Sequence, residues 1–81
     1  MILDLRNLYF INSRGVPRLL GADMTWETAL EMMNTFMDAH NFKSYYKRTW
    51  EVSEGTMVDV GSHSEFFLWG VIEDESNVER I

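Results

Sequence analysis

The apolar period of the chain changes from that of a helix to that of a strand within residues 25–52, TWETALEMMNTFMDAHNFKSYYKRTWEV. Up to residue 40 the apolar residues recur at spacings of three and four, which places them on one stripe of a helix. From residue 42 onward they alternate with polar residues, as in a strand with one buried face. A single helix followed by strands indicates an α+β fold, with the helix packed on a sheet.

The sequence predicts a helix from Trp26 to Ala39. Thr25 is a good N-cap because its hydroxyl can accept a hydrogen bond from the first turn, and Asn41 is a suitable left-handed residue after the last turn. Acidic Glu27 suits the positive end of the helix dipole. The predicted buried stripe consists of Trp26, Ala29, Leu30, Met33, Phe36, Met37 and His40.

Strands are predicted on both sides of this helix. Residues 2–11 and 16–20 flank a turn and predict a hairpin, whose second arm contains Pro17 and should lie at an edge or be loosely paired. After the helix, the strand ending at Val52 turns at Glu54-Gly55 into residues 56–60, and a further turn leads to residues 65–72. The predicted order is ββαβββ in one antiparallel domain over residues 1–72, followed by a frayed acidic tail over residues 73–81.

The last predicted strand, residues 65–72, is apolar on both faces. Such a strand is either central in a sheet covered on both sides or in contact with another subunit. Because one helix covers only one face, the sequence favours self-association into a homo-oligomer.

The composition limits the class of protein. Among 81 residues there is no cysteine, which excludes disulfides and thiolate metal sites and favours a reducing compartment such as the cytoplasm. No apolar run approaches the roughly 20 residues that span a bilayer, and no basic segment precedes an apolar stretch at the start of the chain. The sequence also lacks the glycine spacing of a phosphate-binding loop, so we expect neither membrane insertion nor a cofactor.

The net charge of −6 is concentrated in the last third of the chain. Residues 1–50 hold five acids and six bases, whereas residues 51–81 hold eight acids and only Arg80. This field disfavours binding to nucleic acid and favours a protein partner with a basic surface. The candidate docking residues are Glu51, Glu54, Asp59, Glu65, Glu73, Asp74 and Glu75, although a net charge of this size is also typical of an ordinary solvated surface.

Two other functions remain open at this point. Tyr46, Arg48 and Trp50 could line a pocket for a small metabolite or nucleotide in a homo-oligomer. Asp59, His63 and Glu65 combine an imidazole with two carboxylates and could serve a metal-dependent hydrolase, although a metal site needs three or four well-placed ligands. No residue is predicted to be catalytic, and a non-enzymatic role is favoured.

The segment DVGSHSEFFLWG, residues 59–70, which follows the strand with Trp50 and the Glu54-Gly55 turn, resembles the C-terminal hairpin of small uncharacterised proteins carried by phages and mobile elements of Gram-positive bacteria. The resemblance covers about thirty residues and carries no site residue with it. It implies a compact accessory protein that acts by binding, as inhibitors of host enzymes or host defence do, and that would act in the host cytoplasm.

Overall fold

The computed structural model describes residues 4–40, 47–61, 64–74, 76 and 78–80. Its elements are β1 (Arg6–Ile11), β2 (Pro17–Met24), α1 (Trp26–Ala39), β3 (Arg48–Val52), β4 (Gly55–Asp59), β5 (Phe66–Gly70) and β6 (Glu79–Arg80). The first five strands form an antiparallel sheet in the order β3-β4-β5-β1-β2, with the helix between β2 and β3 in the chain. The predicted α+β class and the order ββαβββ are therefore confirmed.

Helix α1 has the predicted bounds because its signals are local. The Thr25 hydroxyl accepts a hydrogen bond from the Thr28 N–H at 3.3 Å, as an N-cap should. The stripe turns Ala29, Met33 and Met37 into the core. The helix ends at His40, and the predicted stop at Asn41 lies outside the described residues. No helix in the described part of the chain is long and apolar enough to cross a membrane.

The core lies between α1 and one face of the sheet, which we call the helix face. Leu8, Val58 and Phe67 project into it from three adjacent strands and are at most 1% exposed. The indole N–H of Trp69 donates to the Met24 carbonyl at 3.0 Å, so the one polar atom of this large side chain is satisfied inside the core. Burial on this face accounts for the folding of the domain.

Strand β5 pairs with β1 on one side and β4 on the other, which makes it a central strand. Its Leu68 points away from the helix and is nevertheless only 3% exposed within a single copy. Strand β5 is therefore apolar on both faces because it is a central strand covered on both sides. The burial of β5 therefore does not require a second subunit, and self-association stays a prediction.

The C-terminal segment provides part of that cover. The N–H of Ile72 donates to the Tyr9 hydroxyl at 3.4 Å, and Tyr9 is completely buried on the face opposite the helix. Further along the chain, Glu79 and Arg80 pair in parallel with Arg18 and Leu19 of β2. A frayed end was predicted for residues 73–81, but its last described residues form a sixth strand.

Candidate functional site

The second face of the sheet carries an open groove of about 370 Å³. Strict alternation along the strands turns one set of side chains away from the helix. The groove is lined mainly by apolar members of this set and by the C-terminal segment: Ile11, Trp50, Val52, Met57, Leu68 and Ile72. Ile72 contacts the Tyr9 hydroxyl at one side of the groove, and the exposed β3 residues Trp50 and Val52 line another side.

Trp50 forms the outer wall of the groove. It is 37% exposed, and its ring meets that of Phe66 edge to face, with the centroids 6.0 Å apart. The Arg48 guanidinium lies 5.6 Å from the Trp50 ring centroid. Packing against two neighbours holds the indole in place while leaving a large apolar surface accessible, which is the combination found at binding hot spots.

Asp59 has a structural role beside this wall. It is 3% exposed, and its carboxylate accepts hydrogen bonds from the Arg48 guanidinium and from the Gly61 N–H, each at 2.9 Å. Burial of a carboxylate requires such partners because an unpaired charge would be costly. Asp59 was predicted as a docking residue, but it faces its own chain and cannot contact a partner surface directly.

An acidic cavity of about 330 Å³ adjoins one end of the groove. Its walls carry Glu54 from the β3–β4 turn and Glu73 and Asp74 from the segment after β5. These two parts are joined by the backbone, since the Val71 N–H donates to the Glu54 carbonyl at 2.8 Å. Glu54 and Ile72 line both the cavity and the groove, so the apolar and acidic surfaces are continuous.

Asp74 is the titratable group whose environment is most clearly perturbed. The backbone N–H of Ser76 donates to its carboxylate at 3.1 Å, and this bond, with a further one from the Ser76 hydroxyl, lowers the pKa of Asp74 below its ordinary value of 3.8. Hydrogen bonds to the charged form favour that form. The hydrogen bonds from Ser76 therefore favour the charged form of Asp74 at the cavity.

The structure brings only some of the predicted docking residues together. Glu54, Glu73 and Asp74 are grouped around the cavity. Glu51 lies on the helix side of β3, where the Thr56 hydroxyl donates to it at 2.5 Å, and Glu65 is half-buried before β5. Glu75 lies outside the described residues.

The predicted small-ligand pocket and the predicted metal site each include one residue outside the described part of the chain. These residues are Tyr46 for the pocket and His63 for the metal site. Arg48 and Trp50 are neighbours on one face, as predicted, but only Trp50 lines the groove. Within the residues that the structure describes, no three His, Asp or Glu side chains are close enough to share a metal ion.

Sequence reasoning missed Val71 and Ile72 as parts of the site. They were read as the end of a strand, whereas they follow β5 and bend toward the β3–β4 turn. The alternation of Trp50, Val52 and Met57 on either side of a tight turn was a usable signal for the groove wall. The position of Ile72 depends on a contact with Tyr9 that no local pattern contains.

Comparison with known proteins gives no relative from which a role could be transferred: no family model, curated protein or solved structure matches the chain.

Proposed function

We propose that this chain is a non-enzymatic interaction protein that docks on a basic surface of a protein partner. An apolar side chain of the partner enters the groove beside Trp50, and Lys or Arg residues next to it lie over Glu54, Glu73 and Asp74. The observation that carries the proposal is the continuity of the apolar groove with the acidic cavity through Glu54 and Ile72.

The apolar part of the surface supplies affinity. Trp50 and Val52, which line the groove, are each 37% exposed, and Val71, which lines the cavity, is 51% exposed. Removing apolar surface from water contributes roughly 25 cal/mol per Å² before the costs of association are subtracted. A groove of this depth suits one or two aliphatic or aromatic side chains from a partner.

The acidic part supplies selectivity and speed of association. Carboxylates at one end of the groove attract Lys and Arg and repel phosphate backbones, so they favour a basic protein over a nucleic acid. These carboxylates are exposed, and their interactions are therefore screened by salt. Coverage of a basic functional surface would inhibit the partner, which agrees with the resemblance to phage accessory proteins and makes a host protein the expected target.

The proposal is tested with synthetic peptides of defined chemistry. The probe is a set of peptides with one Leu or Trp flanked by two Arg or Lys residues, and the matched set carries Glu in place of the bases. Binding is measured by titration calorimetry at low and at physiological salt. We expect the basic set to bind, to weaken as salt is added, and to bind at least tenfold more tightly than the acidic set.

Two variants that remove the same number of charges distinguish the effect of the cavity carboxylates from the effect of the net charge. E54Q/E73Q/D74N removes three charges at the cavity, and E27Q/E31Q/D38N removes three from exposed positions on the helix. We expect the first to weaken binding about tenfold, from roughly 0.5 kcal/mol per exposed charge pair, and the second to have little effect. Equal loss in both variants, or unchanged binding in Trp50→Ala, would overturn the proposal.

A further inference from the structure

We infer that two copies of this chain associate through β3, with antiparallel strands related by a two-fold axis at Thr49. The inference goes beyond the proposed function because it concerns pairing at the edge of the sheet, although this edge shares Trp50 with the groove. It rests on the position of β3 and on the order of charges along it.

Strand β3 occupies one end of the sheet, and all five of its residues are exposed. No other strand of the described chain pairs on its outer side. The backbone groups along such an edge can pair with a strand of another molecule, and an interface of this kind joins the two sheets into one.

The segment Lys47-Arg48-Thr49-Trp50-Glu51 is complementary to itself when reversed. In an antiparallel pair centred on Thr49, Lys47 lies opposite Glu51 of the second copy, and Arg48 lies opposite Trp50 of the second copy. The two-fold axis repeats each contact. Directly opposite residues share a face and have Cβ atoms about 5 Å apart, so opposite charges and cation–π partners there interact favourably.

The two kinds of contact fall on different faces of the sheet. Glu51 is held on the helix side by the Thr56 hydroxyl, so Lys47 and Glu51 of the two copies would meet there. Arg48 and Trp50 lie on the groove side, where the guanidinium is already anchored by Asp59 at 2.9 Å and lies near its own indole. Glu51, Arg48 and Trp50 are therefore positioned before association, which lowers the entropy cost of pairing.

A two-fold axis at Trp50 is the competing register. It would place Trp50 opposite Trp50, Thr49 opposite Glu51 and Arg48 opposite Val52, which leaves every charge without an opposite charge. The axis at Thr49 pairs Lys47 with Glu51 on both sides of the dyad. Charge complementarity therefore selects the axis at Thr49 and makes the second copy the fitting occupant of this edge.

The test is a charge-reversal experiment read by sedimentation equilibrium over a range of protein concentrations. We expect the unmodified chain to dimerise with a dissociation constant on the order of 10–100 μM, as in a small transient interface. Lys47→Glu alone and Glu51→Lys alone should each weaken the dimer roughly tenfold or more, because both symmetry-related pairs become repulsive.

Restoration of the opposite charges is the decisive measurement. The double variant K47E/E51K and an equimolar mixture of the two single variants should both dimerise nearly as well as the unmodified chain. Glu31→Lys changes an exposed helix residue by the same charge and serves as the control. A chain that stays monomeric at millimolar concentration would overturn the inference, and so would a dimer that neither single charge reversal weakens. Either result would leave the separate test of peptide binding at the groove unchanged.

Discussion

The two faces of the sheet carry the same kinds of large apolar side chain but differ in what covers them. On the helix face, Leu8, Met33 and Phe67 are at most 1% exposed, because α1 closes over the strands. On the second face, Tyr9 and Leu68 are buried, whereas Trp50 on the edge strand is 37% exposed. The difference separates residues that hold the domain together from residues that remain free to contact another molecule.

The largest expected difference is in the free energy of unfolding when one aromatic side chain on each face is truncated to alanine. We expect Phe67→Ala to lower the free energy of unfolding by about 3–5 kcal/mol, because it leaves a cavity in the closed core. Trp50→Ala should cost only about 1–2 kcal/mol, since much of the indole already contacts water. Equilibrium unfolding in urea measures both values. Equal costs would mean that the second face is as closed as the first.

Removal of one hydroxyl tests how firmly the C-terminal segment covers the second face. Tyr9→Phe keeps the buried ring but removes the acceptor for the Ile72 N–H and the Asn7 side-chain amide. We expect a loss of about 1 kcal/mol, which is the cost of leaving two part-buried donors without this acceptor. Hydrogen exchange should accelerate at the Ile72 amide and remain slow at the Phe10 amide. Unchanged exchange at Ile72 would show that the hydroxyl does not secure the segment.

The smallest expected effect concerns Asp74 at the acidic cavity of the second face. The pKa of Asp74 is lowered in the folded chain, so its stabilising contribution is present above the unfolded pKa near 3.8 and is lost as the pH falls through the folded value. Ser76→Ala removes the hydroxyl and should raise the pKa of Asp74 slightly, and Ser76→Pro also removes the backbone donor and should raise it further. Carboxyl-carbon NMR titration measures both shifts. An unchanged pKa in Ser76→Pro would contradict the assigned cause.

Prediction from sequence succeeded where the signals are local. The helix bounds follow from the Thr25 cap and from the stripe through Ala29, Met33 and Met37, which need no knowledge of the rest of the chain. The meander after the helix follows from alternation and from the turn at Glu54-Gly55. Strand β6 forms because Glu79 pairs with Arg18 of β2. A local sequence pattern does not predict a contact between residues so far apart in the chain.

The candidate site was predictable in part. Glu54, Glu73 and Asp74 were identified from charge alone, and the structure groups them around one cavity. Asp59 was misassigned because its charge was read without its partner, although the register set by the short β3–β4 turn places it opposite Arg48. The register of β3 and β4 pairs Asp59 with Arg48, and this pairing excludes Asp59 from the docking residues.

The two ends of the sheet have different capacities for growth. At one end the described part of β6 consists of Glu79 and Arg80, whereas β3 provides five residues at the other end. Polymerisation into fibres needs a contact that is repeated at two distinct sites on every molecule. The two-fold contact proposed at β3 would occupy the same site on both members, so assembly through it would stop at a closed pair.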